Sequence, residues 1–249
     1  MIATIEHHSK KLKIDLSKPL DISIPMRATK DNVSAWYIDK PKIFPEVLEE
    51  KEISVANGAS VNFNSIHFNP HAHGTHTECV GHITEKVYSV NKHLKQFFFL
   101  AEVISVAPEK YMRDTMVSEA QLKFALGDKK VDALVIRTLP NFSDKKKRHY
   151  SNTNWTYLKE EAVAFLVKKG IKHLLIDLPS VDREEDGGQL RSHKAFWNFE
   201  GELRKDCTIT ELIYVPNKVK DGSYFLNLQI APFENDASPS KPILYKIID

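Results

Sequence analysis

The sequence predicts an α/β fold, a mixed sheet with flanking helices, and three observations carry that expectation. The first is a strand–helix–strand succession across residues 131–178. Val131 to Ile136 is a short apolar run, a helix pattern follows it and stops at Gly170, and Ile171 to Leu178 is apolar again. Such a unit implies parallel pairing, because only a long crossover returns the chain to start a parallel neighbour. The second is alternation near the start. Leu12, Ile14 and Leu16 point one way and Lys11, Lys13 and Asp15 the other, as in a half-buried strand. The third is a set of late segments, 208–215, 223–231 and 242–248, that also read as strands.

The remaining elements follow in order. Residues 1–10 read as a loose polar tail, and the alternating strand after it stops near Pro19. Residues 26–50 form a long irregular segment containing Pro41, Pro45 and the pair Trp36-Tyr37; in a compact domain such a loop is usually functional. Ile53 and Val55, then Asn57-Gly58, then Val61 and Phe63 give a hairpin signal, since Asn-Gly supplies the positive φ angles of a tight turn. The second strand of that hairpin runs on through Ser65, Ile66 and Phe68. Phe97 to Ala107 reads as a buried strand. Ser118 with Gln121 makes a capping box opening a short helix that ends at Gly127. Thr156 opens a longer helix with Glu160 and Glu161 in its first turn and Leu158, Val163, Phe165 and Leu166 on its apolar side. Residues 190–205 look helical.

Composition narrows the function. With 249 residues, 42% of them hydrophobic, and no linker, the chain is expected to be one domain over 1–249. Thirty-five basic residues against 33 acidic argue against nucleic acid as a partner, which would need a basic excess or stripe. The one dense basic run, Lys145-Lys146-Lys147-Arg148, reads as a solvated loop face. No apolar run approaches the roughly 18–20 residues of a membrane span. Two cysteines, Cys79 and Cys207, and a start without a signal-peptide apolar core predict a cytoplasmic protein with reduced thiols.

The chemistry is concentrated between Pro70 and His82. Four of the eleven histidines, His71, His73, His76 and His82, stand there with Glu78. Imidazoles with a carboxylate are the donors a divalent transition metal prefers. In an extended chain His76, Glu78 and His82 share one parity, and His71 and His73 the other. Gly74 lies between the sets, where a bulge can flip the phase, so His71 or His73 could join His76 and Glu78 around one ion. His82 would lie about 13 Å beyond Glu78 if the chain stayed extended. Metal–ligand bonds are only about 2 Å, so the chain must curl, which Gly81 permits. Cys79 is out of phase with these donors, and a closed structural zinc site would more often use cysteine.

Gly74-Thr75-His76-Thr77-Glu78 with His82 resembles the signature His-x-Gly-Thr-His-x-Asp-x-Pro-x-His of the cyclase family of kynurenine formamidase-like metal-dependent hydrolases. Ile14 to Leu20, Ile176-Asp177-Leu178-Pro179-Ser180-Val181-Asp182, and His193 followed by Ile209-Thr210-Glu211-Leu212 resemble further stretches of that family, so the similarity spans about residues 12 to 235. The resemblance implies a cyclase-like β/β/α arrangement. It assigns metal-ligand roles to His76, His82 and Glu211, with Glu78 where the family has aspartate. Ala72 stands at the first family histidine and cannot bind metal. His71 is the preferred substitute over His73, since Pro70 would fix its approach. The implied metal is zinc, with manganese the alternative. The implied reaction is hydrolysis of an amide or related carbonyl bond in a small molecule, with Glu211 and His193 catalytic and His193 the general acid/base. Asp177, Ser180 and Asp182 would support the site or form a turn, and Trp36, Tyr37 and Trp155 would wall a pocket or pack the core. A homo-oligomer, dimer or tetramer, is also implied. The competing expectations are a catalytically altered binding member of the same family, and a domain closed by a structural zinc.

Overall fold

The computed structural model describes residues 1–7 and 10–248. Eleven strands form one sheet: β1 (Ile2–His7), β2 (Lys10–Asp15), β3 (Leu20–Asp21), β4 (His76–Glu78), β5 (Phe98–Val106), β6 (Ala133–Thr138), β7 (His173–Ile176), β8 (Thr208–Glu211), β9 (Gly222–Asn227), β10 (Ala237–Pro239) and β11 (Ile243–Ile248). Their spatial order is β1-β2-β11-β9-β5-β6-β7-β8-β4-β10, with β3 alongside β11. The central strands β5, β6, β7 and β8 are parallel, and the strands to either side of them run antiparallel. The sheet is therefore mixed, as expected, and the α/β class holds.

The parallel centre is apolar because it is covered on both faces. Alternation along β6 sends Leu134 and Ile136 to one side and Ala133 and Val135 to the other. The first side receives α3 (Glu119–Leu126), α4 (Glu160–Lys168) and α5 (Arg191–Trp197) through Leu122, Leu126, Val163, Leu166, Phe196 and Trp197. The second is closed by Ile22, Val215, Leu226, Leu228 and Leu244 from other strands and loops. The chain's two shorter helices are α1 (Pro70–His73) and α2 (Val90–His93). The α3 capping box forms as read, with the Ser118 hydroxyl accepting the Gln121 N–H and the Gln121 side chain accepting the Ser118 N–H.

Several expectations need correction. Residues 2–7 are not a loose tail but pair antiparallel with β2. Asn57-Gly58 does not turn a hairpin. Gly58, at φ 86°, closes a 3-10 turn over Val55–Asn57, and Asn64–His67 pairs instead with Lys42–Pro45. Thr156 does not open α4, because Tyr157–Leu158 first adds a short strand parallel to Asp114–Val117. The helix expected over 190–205 ends at Trp197. Lys145 is not solvated: it is 3% exposed and its ammonium lies 2.7 Å from the buried Asp177 carboxylate. That pair ties the loop after β6 to the end of β7. Among the described residues, no helix is long and apolar enough to cross a membrane.

Candidate metal centre

The centre forms where the carboxyl ends of the parallel strands meet β4. Thr75, just before β4, is fastened on both sides, accepting the Ile24 N–H and donating to the Leu212 carbonyl. β4 itself runs between β8 and β10, with His76 opposite Glu211 and Glu78 opposite Ala237. Alternation puts Thr77 on the other face, where its hydroxyl meets that of Thr210 at 2.7 Å, and leaves His76 and Glu78 on the same face.

The single turn of α1 precedes β4. Pro70 stands in its first turn and the Asn69 side chain caps it by accepting the His71 N–H. Residues two apart on a helix point to nearly opposite sides. His73 turns inward and uses both ring nitrogens. Nδ1 accepts the Asn69 N–H at 2.9 Å and Nε2 donates to the Asp39 carbonyl at 2.7 Å. His71 turns the other way, with Nδ1 3.1 Å from Glu78 Oε2 and Nε2 3.0 Å from Asp236 Oδ2. The phase change is thus made by a helix–strand junction rather than a bulge at Gly74, whose φ of 168° is ordinary extended backbone.

Beyond Glu78 the chain curls as the spacing requires, into a 3-10 turn over Val80–Ile83. The His82 N–H bonds the Cys79 carbonyl at 3.0 Å. Gly81 is needed for closeness, since a Cβ there would lie 2.2 Å from the Tyr88 carbonyl oxygen. The turn returns His82 so that Nε2 is 3.9 Å from Glu78 Oε2 and Nδ1 3.3 Å from Asp236 Oδ2. Cys79 is buried beside this turn, and burial pushes its thiol up to about 11, so it stays protonated.

His193 enters from α5. Asp182 holds the start of that helix, accepting the Ser192 and His193 N–H groups, and also takes the His193 Nδ1 at 2.6 Å. His193 Nε2 is left facing Glu78 Oε1 at 3.2 Å and Glu211 Oε1 at 3.9 Å. Glu211 Oε1 accepts the Val181 N–H, and its Oε2 lies 3.5 Å from His76 Nε2. His76 is oriented by Nδ1, which donates to the Gly74 carbonyl at 3.0 Å.

All of His71, His76, Glu78, His82, His193 and Glu211 therefore meet at one place. Three sets can each offer three donor atoms within 4.8 Å of one another: His71, His76 and Glu78; Glu78, His82 and His193; and His71, His82 and Asp236. Glu211 belongs to none of these and flanks them. Asp236 was not anticipated: it stands alone in sequence after β9, and only the pairing of β10 with β4 brings it here.

The charges are strongly coupled. Burial opposes ionisation of Glu78, yet the charge of His82 and the hydrogen bonds of His193 and His71 hold it well below the usual carboxylate range. Burial likewise opposes a charge on His71, but Asp236 and Glu78 outweigh it and push it up to about 10. Burial is overcome at His193 in the same way, by Asp182 and Glu78, which raise it well above the ordinary value. Despite this, His76 Nε2 is buried and makes no hydrogen bond. Buried polar atoms without partners cost about 1–3 kcal/mol each. That atom, 4.0 Å from Glu78 Oε2 and among three further imidazoles, fits a divalent cation.

The other candidates serve structure. Asp177 binds Thr138 and Lys145, and Ser180 accepts the Asp182 N–H. Trp155 is buried, donates to the Asp182 carbonyl and meets Trp36 edge-on at 4.9 Å. Tyr37 is exposed and donates its hydroxyl to Glu184.

The chain is similar to known proteins in sequence and in fold. The sequence profile of the Cyclase family, described as "Putative cyclase", matches residues 14–183. Kynurenine formamidase from Bacillus anthracis is 25% identical over 236 residues, 93% of this chain and 99% of its own. That of Bacillus cytotoxicus is 29% identical over 232 residues, 92% of this chain and 97% of its own. An isatin hydrolase crystallised with the product analogue thioisatinate superposes with a TM-score of 0.68 at 15% identity, covering 93% of each chain. The profile spans more than half of the sequence and takes in β4 with His76, Glu78 and His82, so the chain belongs to the cyclase family.

Proposed function

We propose that the protein is a metal-dependent hydrolase of amide-type bonds in small molecules: formamides, cyclic amides or lactones. The observation that carries this reading is the buried, unpartnered His76 Nε2, set with Glu78 Oε2 among His71, His82 and His193. His71, His76, Glu78 and His82 would hold the ion, with Glu211 flanking His76. Nitrogen-rich donors favour zinc, with manganese the alternative. A divalent ion there supplies Lewis acidity, which polarises an amide carbonyl and makes water a better nucleophile.

The chain's own groups do the rest. His193, clamped through Nδ1 by Asp182, presents Nε2 to the centre and delivers a proton to the leaving nitrogen. Glu211, fixed through Oε1 by Val181, keeps Oε2 toward His76 and holds negative charge beside it. His82, Asp236 and His71 side chains are 20–30% exposed, whereas those of His76, Glu78, His193 and Glu211 are at most 4% exposed, so substrate enters from the His71–His82 side. The names of the relatives, kynurenine formamidase and isatin hydrolase, support an N-formyl or cyclic amide substrate.

The whole chain acts as one domain, since elements from both of its ends join the main sheet. A homo-oligomer is supported by the exposed Ile43, Phe44, Val47, Phe63 and Ile66, around the pairing of Lys42–Pro45 with Asn64–His67. A cytoplasmic location fits the two unpaired buried cysteines. Elemental analysis of the purified protein, with hydrolysis of a panel of formamides, cyclic amides and lactones, tests the reading. His76→Ala should abolish metal content and hydrolysis together; retention of both would overturn it. A second reading, a binding member without hydrolysis, is favoured by Ala72 at the family's first histidine. It predicts a bound ligand and no turnover on any of the panel.

A further inference from the structure

Asp236 is 154 residues beyond His82, yet its Oδ2 touches two of the candidate ligands. It is 3.0 Å from His71 Nε2 and 3.3 Å from His82 Nδ1. The two rings stack with centroids 4.3 Å apart and 28° between their planes. Their other nitrogens, His71 Nδ1 and His82 Nε2, both face Glu78 Oε2, at 3.1 and 3.9 Å. A neutral imidazole carries its proton on one nitrogen and a lone pair on the other. One carboxylate that accepts N–H from both rings therefore sets both tautomers once an ion displaces the inner protons, and both lone pairs then face the ion beside the Glu78 oxygen.

This is the outer-carboxylate arrangement that orients metal-bound histidines and raises their basicity. The other two imidazoles have their own anchors: the Gly74 carbonyl for His76 and Asp182 for His193. Without Asp236, His71 and His82 would have no hydrogen-bond partner for their outward nitrogens among the described residues. Asp236 is itself held in place, because its carbonyl accepts the Cys79 N–H at 3.0 Å, immediately after Glu78. His71 needs the help most. It stands one residue from Ala72, and its ring must reach Glu78 from a single helical turn.

We propose that Asp236 is the positioning residue that fixes His71 and His82 as metal ligands, and that it lets His71 serve although Ala72 cannot. The proposal rests on the metal-centre reading above. It is tested by competing Zn²⁺ away from the purified protein with a chromophoric chelator at fixed pH. Wild type, Asp236→Ala, Asp236→Asn and His76→Ala are compared, with circular dichroism of each metal-free form to confirm folding. Asp236→Ala should weaken Zn²⁺ binding about 10–100-fold. Asp236→Asn, which keeps an acceptor oxygen, should recover part of that loss, and it carries the test should the alanine variant not fold. In a His71→Ala background, Asp236→Ala should cost clearly less than in wild type, because one of its two partners is gone. Wild-type affinity in both Asp236 variants, or an undiminished cost beside His71→Ala, would overturn the proposal. If wild type binds Zn²⁺ and His76→Ala does not, that failure belongs to the Asp236 proposal alone. If wild type binds none, the metal-centre reading falls and this proposal with it.

Discussion

His71 and His73 are the same residue type on the same turn, and their surroundings give them opposite tasks. His73 spends both nitrogens on backbone, so removing it breaks two hydrogen bonds without changing the donor set. His73→Ala should therefore lower stability by about 1–3 kcal/mol, read by denaturant unfolding, with Zn²⁺ affinity kept within a few-fold of wild type. His71→Ala should act on affinity. Its ring bonds only acidic side chains, so Zn²⁺ affinity should fall by more than the roughly 10–100-fold expected for losing an outer-shell partner, and the metal-free form should also lose stability because Glu78 and Asp236 lose the cation between them. Equal effects of the two variants on affinity would contradict the division. Spacing alone left the two histidines open, because a parity argument assumes extended backbone, and both lie on α1. The caps that decide the matter, Asn69 and Pro70, were in view; what they cap was not. Asp236 was illegible for another reason: its partners are 154 and 165 residues away, and no local pattern marks it.

At the scale of elements, the legible parts were those whose causes are local or strongly periodic. The α3 capping box, the stop at Gly170 and the apolar cores of β5, β6 and β7 follow from residues within a few positions of one another. The parallel pairing of β6 with β7 follows from the crossover between them. The failures were cases where a distant or competing partner decided. Ile2–His7 has only two large apolar residues, Ile2 and Ile5, but it gains a full ladder with β2. Gly58 has the positive φ that the Asn-Gly signal promised, and spends it on a 3-10 turn. Gly81 is the element-scale feature on which the centre depends. A methyl group there would meet the Tyr88 carbonyl oxygen at 2.2 Å and its carbon at 3.0 Å, both backbone, so the Val80–Ile83 turn must shift and carry His82 with it. Gly81→Ala should cost about 1–3 kcal/mol in a thermal or denaturant melt and weaken Zn²⁺ binding at the same time. A variant destabilised but with wild-type affinity would show that His82 is not a ligand.

The whole molecule separates what holds the fold from what would hold the ion. The two large apolar clusters lie on either face of the parallel strands, built from residues such as Leu134, Ile136 and Phe196 on one side and Val135, Leu226 and Leu244 on the other. None of the candidate ligands belongs to them. The centre sits instead where β4 is stitched between β8 and β10 by backbone pairing and by the Thr77–Thr210 contact, none of which uses a candidate ligand's side-chain atom. Its charges also have a metal-free solution, because a protonated His71 lies between Glu78 and Asp236. Removing the ion should thus leave a folded, inactive protein, unlike a structural zinc domain that unfolds on chelation. An ion present at 100–1,000 times its dissociation constant adds about 2.7–4.1 kcal/mol. In a chain of this size each kcal/mol moves the melting temperature by about 2–4 °C. Chelation should therefore lower Tm by roughly 5–16 °C, leave the far-ultraviolet circular dichroism at 25 °C unchanged, and be reversed by adding Zn²⁺. Loss of the dichroism at 25 °C on chelation would mean that the β8–β4–β10 junction needs the ion to form, and would favour a closed structural site over a hydrolytic one.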